Sequence, residues 1–238
     1  MKKMRKLLPA LAMLLISAVM MSTASFAWFA MNTNVTATGM NVSAKSNDTF
    51  LQIKPKGGAI DATNGGVSAS ATTASVQLYP AKYDSTNKKY QYAYSNDQAH
   101  SDAAGGYYDV PAGDLGHYVL TNEFDIFMKD SASNSYTKNL KVTGFTVTCA
   151  EADMLNAIRI VVTCGDKVQE LSADGKTSGA SNSVDSSVVL ANSVDEAGVT
   201  VTIQVYIDGD STGVYSNNIE KLQNASVSVA FSTEQPSA

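Results

Sequence analysis

The clearest pattern in the chain is strict alternation over Val199–Ile207. Val199, Val201, Ile203, Val205 and Ile207 alternate with Thr200, Thr202, Gln204 and Tyr206. A period of two puts the apolar set on one face, so this stretch predicts a half-buried antiparallel strand. Residues 225–231 repeat the pattern, with Ala225, Val227, Val229 and Phe231 set against Ser226, Ser228 and Ala230. In 118–128 the residues Phe124, Ile126 and Met128 share a face, and in 50–56 Leu51 and Ile53 do. Ile158–Cys164 is nearly continuous in apolar residues, which predicts a strand buried on both faces, with 168–171 as its hairpin return.

Two strands carry a slip in the alternation. In 34–45 Val35 and Ala37 have one parity, and Met40, Val42 and Ala44 have the other, with Gly39 between them. In 138–149 Leu140 and Val142 give way, past Gly144, to Phe145, Val147 and Cys149. One inserted residue at a glycine predicts a β-bulge or bend. Residues 55–75 and 172–187 are rich in Gly, Ser, Ala, Thr or Asn and read as surface loops. Residues 81–117 hold Tyr83, Tyr90, Tyr92, Tyr94, Tyr107 and Tyr108 and read as an elaborated hairpin or insertion. A short helix is expected at 216–222, and a turn or one helical turn at 150–157. Beyond the N-terminal stretch no helical period is sustained. Many short strands with Gly-rich turns predict an all-β protein, a jelly-roll-like antiparallel β-sandwich, as one domain over 28–238 with a long insertion near 81–117.

The N-terminus changes the picture. Lys2, Lys3, Arg5 and Lys6 precede an apolar run over 7–21 and then small residues up to Ala27. This is the layout of a secretory signal peptide over 1–27, a signal helix with Ser25 at −3 and Ala27 at −1 of the cleavage site and Trp28 as the new N-terminus. The rival is a retained membrane anchor, since weak apolar character continues to Met31 and could cross about 30 Å of hydrocarbon. Polar residues at 17, 22, 23 and 25 dilute that run, and no basic stop-transfer cluster follows. A type IV prepilin leader is rejected because no Gly or Glu precedes Gly39. The formal charge of −5 becomes about −9 once four basic leader residues are removed. That balance argues against nucleic acid, whose affinity rests on Lys and Arg at phosphates, and against anionic lipid. The expected location is extracellular, at the cell surface, with membrane contact only through an uncleaved leader.

Little in the sequence points to chemistry, and the chain is read as a non-enzyme without a cofactor. His100 and His117 are the only histidines, and neither has a second ligand at metal spacing. No HExxH motif or Gly-x-Ser-x-Gly elbow occurs. Asp208 and Asp210, in Asp-Gly-Asp-Ser-Thr-Gly, match the first half of an EF-hand loop, but the twelfth position is Ile219. They are read first as a turn, with calcium as the weaker candidate. Cys149 and Cys164 could form a disulfide in an oxidising compartment, closing a loop worth about 3 kcal/mol in the chain-entropy model; two buried thiols are the alternative. The tyrosines of 83–108 are either half-buried strand residues with wet hydroxyls or a stacking surface for a ligand.

The informative feature is the new N-terminus. Trp28, Phe29 and Met31 are poorly solvated on a free tail, and they lead into a β-capable segment with Val35 and Ala37. Such an end must dock in its own sheet or add to another molecule's. Donation from each subunit to the next is head-to-tail and yields an open filament. The segment 25–29, Ser-Phe-Ala-Trp-Phe, with 35–45, Val-Thr-Ala-Thr-Gly-Met-Asn-Val-Ser-Ala-Lys, resembles the start of TasA/camelysin-type surface and biofilm-matrix proteins of Gram-positive bacteria. Residues 201–209 and 225–231 also resemble their C-terminal strands. The resemblance spans roughly the first 55 and last 40 residues. It implies a jelly roll, export through a signal peptidase, and extracellular fibres built by strand exchange with itself or with a related matrix protein. The metalloprotease label given to some camelysins is not carried over, for want of a ligand set. The alternatives are a monomeric surface module binding carbohydrate or a host protein through 83–108, and a membrane-tethered exported protein.

Overall fold

The computed structural model describes residues 40–45, 51–63, 66–71, 78–93, 107–128, 137–149, 155–211 and 225–234. The leader, the cleavage residues Ser25 and Ala27, the segment holding Trp28, Phe29, Met31, Val35 and Ala37, the bend at Gly39 and the helix expected at 216–222 lie outside these residues. Among the described residues no helix is long and apolar enough to cross a membrane.

The fold is all-β. Numbered in chain order, its strands are β1 (Met40–Lys45), β2 (Leu51–Pro55), β3 (Ser68–Ala71), β4 (Lys82–Asp84), β5 (Lys89–Ala93), β6 (Tyr107–Asp109), β7 (Val119–Met128), β8 (Thr137–Thr148), β9 (Ile158–Cys164), β10 (Lys167–Ser172), β11 (Ser181–Ser183), β12 (Ala191–Val194), β13 (Val199–Ile207) and β14 (Ser226–Glu234). One sheet has the order β11-β8-β14-β1-β3, with β12 also on β8. The second runs β10-β9-β13-β7-β2, and β4-β5-β6 form a third, smaller sheet. The first two sheets share one core. Leu140, Val142, Phe145, Val229 and Phe231 of one meet Phe124, Ile126, Ile160, Val162, Val201 and Ile203 of the other.

The alternation explains this arrangement. Val201, Ile203, Val205 and Ile207 of β13 are buried, as are Ala225, Val227, Val229 and Phe231 at β14. Strand β9 is covered on both faces: Ile160 and Val162 enter the main core, and Val161 enters a second cluster on the opposite side. The slip at Gly144 is a register shift. Ala230 pairs with Gly144 and the next residue, Phe231, with Val142, so Thr143 is the extra residue. The shift keeps Leu140 and Val142 in the core before it and Phe145 and Val147 in the core after it. A bulge lets one strand change parity without turning its apolar residues outward.

Two expectations are corrected. The loops at 55–75 and 172–187 contain β3 and β11. Ser-Ala-Ser-Ala and Ser-Asn-Ser have no apolar alternation and poor intrinsic strand propensity. They are strands because a neighbour offers them an edge to pair with, β1 for β3 and β8 for β11. Within 81–117, where a hairpin-like insertion is expected, the described residues form the third sheet and a 3-10 helix, Ala112–His117.

Candidate functional site

The assembly reading directs attention to how the N-terminal strand is held. β1 lies inside its sheet, between β14 and β3. It runs parallel to β14, with Met40 opposite Val227, Val42 opposite Val229 and Lys45 opposite Ser232. The other strand pairs among the described residues are all antiparallel. On its other side β1 pairs with β3, Met40 opposite Ala71 and Ser43 opposite Ser68. Among the described residues the first and last strands are thus neighbours, and the first lies between the last and the four-residue strand β3.

The entry to β3 is fixed by Gly66. Its carbonyl accepts a hydrogen bond from the Ile53 amide at 2.8 Å, which ties the turn before β3 to β2 in the opposite sheet. Gly66 has φ +79°, and a Cβ there would lie 2.8 Å from Ile60 Cγ2. Only glycine tolerates both the left-handed backbone and the contact. Ala69 of β3 is buried and Ala71 packs, partly buried, against the same core, while Ser70 between them is exposed.

The tyrosine-rich insertion is a packing layer. Tyr83 and Tyr90 are buried with Val119, Val161 and Tyr206 against the outer face of the second sheet. The Tyr90 and Tyr206 rings meet edge to face at 5.4 Å, and Tyr83 lies 5.0 Å from Tyr90. Such pairs add about 0.5–1.5 kcal/mol beyond area burial. The Tyr90 hydroxyl donates to Gln204 Oε1 at 3.0 Å and that of Tyr206 to Glu170 Oε1 at 2.7 Å. Burial pushes both phenols far above their ordinary range. Tyr79, Tyr92, Tyr108 and Tyr118 continue the layer as half-buried rings. Tyr92 stacks on Tyr118 at 5.8 Å, and Tyr79 lies 5.5 Å from Tyr118. These faces are taken up by one another, so the rings act as glue between layers, and Tyr206, outside the insertion, completes the set.

The acidic pair Asp208 and Asp210 secures this layer. Asp208 accepts a 2.8 Å contact from Arg159 Nη2, with the side chains only 16% and 15% exposed, so the pair is shielded from water. Its Oδ1 also accepts from the Asp210 amide, forming the expected turn. Asp210 accepts from Lys82 Nζ at 2.9 Å and from the Tyr107 hydroxyl. Burial pushes the Asp210 carboxyl up, but the hydrogen bonds from Tyr107 and Lys82 outweigh it and leave it below the ordinary carboxylate range. Lys82 also sits 4.4 Å from the Tyr107 ring centroid. Each carboxylate oxygen of the pair therefore has a partner within the chain, Arg159 and the Asp210 amide for Asp208, Lys82 and the Tyr107 hydroxyl for Asp210. Among the described residues no group of three His, Cys, Asp or Glu side chains could hold a metal. His117 lies 6.4 Å from Tyr79, ring to ring.

Cys149 and Cys164 are both buried and are not joined in the disulfide considered from sequence. Cys149 follows β8 of the first sheet and Cys164 ends β9 of the second. Burial raises the Cys164 thiol further above neutrality, which disfavours the reactive thiolate. The residues sequence reasoning missed are those of β3, whose composition carries no strand signal. No protein-family model matches the chain, and comparisons with curated proteins and with solved structures find no match either.

Proposed function

We propose that the chain is an exported structural protein of the cell surface or extracellular matrix, with a jelly-roll-like sandwich, that builds fibres by donating its N-terminal segment head-to-tail. The observation that carries this reading is the place of β1, a parallel strand inserted between the C-terminal strand β14 and the edge strand β3. A strand at a chain end, connected to the rest by the link 46–50 alone, can be supplied to that position by its own chain or by another copy. Domain swapping of such an element is a low-cost route to assembly, and a head-to-tail swap does not close. The leader and the apolar residues Trp28, Phe29 and Met31 supply the reason for assembly outside the cell, where cleavage frees them.

The test is deletion. Chain beginning at Trp28 is expected to form fibres under negative-stain electron microscopy. The same chain without residues 28–31 is expected to keep its β-rich circular dichroism and remain monomeric. Normal fibres from the shortened chain would overturn donation through residues 28–31.

A further inference from the structure

Tyr107 of β6 is the only exposed tyrosine among the described residues, at 39%. Tyr92 pairs with Tyr108 and shares the inner face of the third sheet with Tyr90, so alternation turns Tyr107 to the outer face. Its hydroxyl donates to one oxygen of the Asp210 carboxylate, and Lys82 Nζ bonds the other oxygen at 2.9 Å. The same ammonium sits 4.4 Å from the centroid of the Tyr107 ring. An exposed phenol, a carboxylate kept ionised by its hydrogen bonds and a cation over the ring are thus brought together by β6, β4 and the turn after β13.

These groups decide how the phenol can lose an electron. Removal of an electron alone would place a positive charge on a ring beside an ammonium, and like charges repel. Removal of the electron together with the hydroxyl proton leaves the ring neutral, and Asp210 is in place to take that proton. Tyr206 also has a carboxylate partner, Glu170, but is 2% exposed, so its ring carbons reach no second molecule. Tyr90 is buried and bonded to the amide oxygen of Gln204. Among the described tyrosines, exposure and a carboxylate proton acceptor coincide at Tyr107.

We propose that Tyr107 is a site of oxidative cross-linking, at which a one-electron oxidant of the haem-peroxidase class joins two copies of this chain through a dityrosine bond, with Asp210 as the proton acceptor. Each phenol loses one electron to the oxidant and its hydroxyl proton to Asp210, which passes the proton to solvent. The two phenoxyl radicals form one carbon–carbon bond between ring positions ortho to their oxygens. The hydrogens on those two carbons then shift to the oxygens, so both hydroxyls are restored. One hydrogen peroxide takes up the two electrons and two protons and leaves as two waters. One reactive phenol per chain makes a covalent dimer the limiting product. The site stands independently of strand donation, and it gives a structural protein a covalent link between chains.

The experiment treats chain beginning at Trp28, kept dilute, with hydrogen peroxide and a haem peroxidase. Products are read by dityrosine fluorescence, denaturing gel and peptide mapping with fragmentation. A covalent dimer joined from Tyr107 to Tyr107 is expected, and Tyr107→Phe, which keeps the ring, is expected to lose it. Asp210→Asn keeps a hydrogen-bond acceptor but not the base, and is expected to lose most of the dimer. Lys82→Met breaks the same ion pair while leaving the base, and is expected to retain the dimer. A merely structural role for Asp210 would make the two variants behave alike, so equal loss in both, or an undiminished dimer in Asp210→Asn, would overturn its part as proton acceptor. Absence of any dimer, or cross-links confined to other tyrosines such as Tyr94, Tyr136 or Tyr215, would overturn the site itself. If a variant loses its β-rich circular dichroism, the position mapped in the unmodified chain decides. Failure of cross-linking leaves strand donation standing, and failure of fibre growth leaves the cross-link standing.

Discussion

At the scale of single residues, Gly144 shows how a local choice holds the architecture. The strand must change parity there, and β11 passes close outside it. A Cβ on Gly144 would lie 3.0 Å from the Asn182 carbonyl oxygen, and Asn182 itself bonds the Phe145 carbonyl through Nδ2 at 3.3 Å. Gly144→Val is therefore expected to displace β11 and to cost about 1–3 kcal/mol, the usual range for overpacking. A lowered urea midpoint with an unchanged slope would show it; an unchanged midpoint would mean that β11 yields freely. The glycine was legible in the sequence because it interrupts a period. The partners of Asp208 and Asp210 were not. Lys82 and Arg159 lie far away along the chain, so the turn could be read and its cations could not.

At the scale of elements, the third sheet gives the fold a pH dependence. Tyr90 and Tyr206 are held neutral by burial, with their pKa values raised. A raised phenol pKa contributes stability that is whole below the ordinary value of about 10 and is lost as pH rises above it, since only the unfolded chain then gains by ionising. On the acid side Asp109, lowered by its hydrogen bonds from Lys89 and Gln91, contributes stability above the ordinary carboxylate range and loses it as pH falls through its lowered value. Melting temperature is thus expected to decline at both ends. On the alkaline side, spectrophotometric titration should show fewer than the 11 tyrosines ionising before the β-sheet signal collapses. All 11 titrating together near pH 10 in folded protein would contradict the packing described for this layer.

At the scale of the whole molecule, the two large sheets were legible because apolar alternation is strong in β7, β8, β13 and β14, and continuous apolarity marks β9. Each of these strands owes its identity to a face it buries. β3 and β11 owe theirs to a neighbour's edge, and nothing in Ser-Ala-Ser-Ala or Ser-Asn-Ser announces a neighbour. The sense of pairing was equally hidden. Period two says that 40–45 is a strand, but not that it lies parallel to the last strand of the chain. The feature that matters most for the assembly reading is therefore one that only the three-dimensional arrangement supplies. Its most direct test is sedimentation of chain beginning at Trp28 over a range of concentrations. The account predicts monomer below a threshold and a steep rise of pelletable polymer above it, whereas monomer at every concentration would contradict the claim that this chain builds fibres from its own first strand.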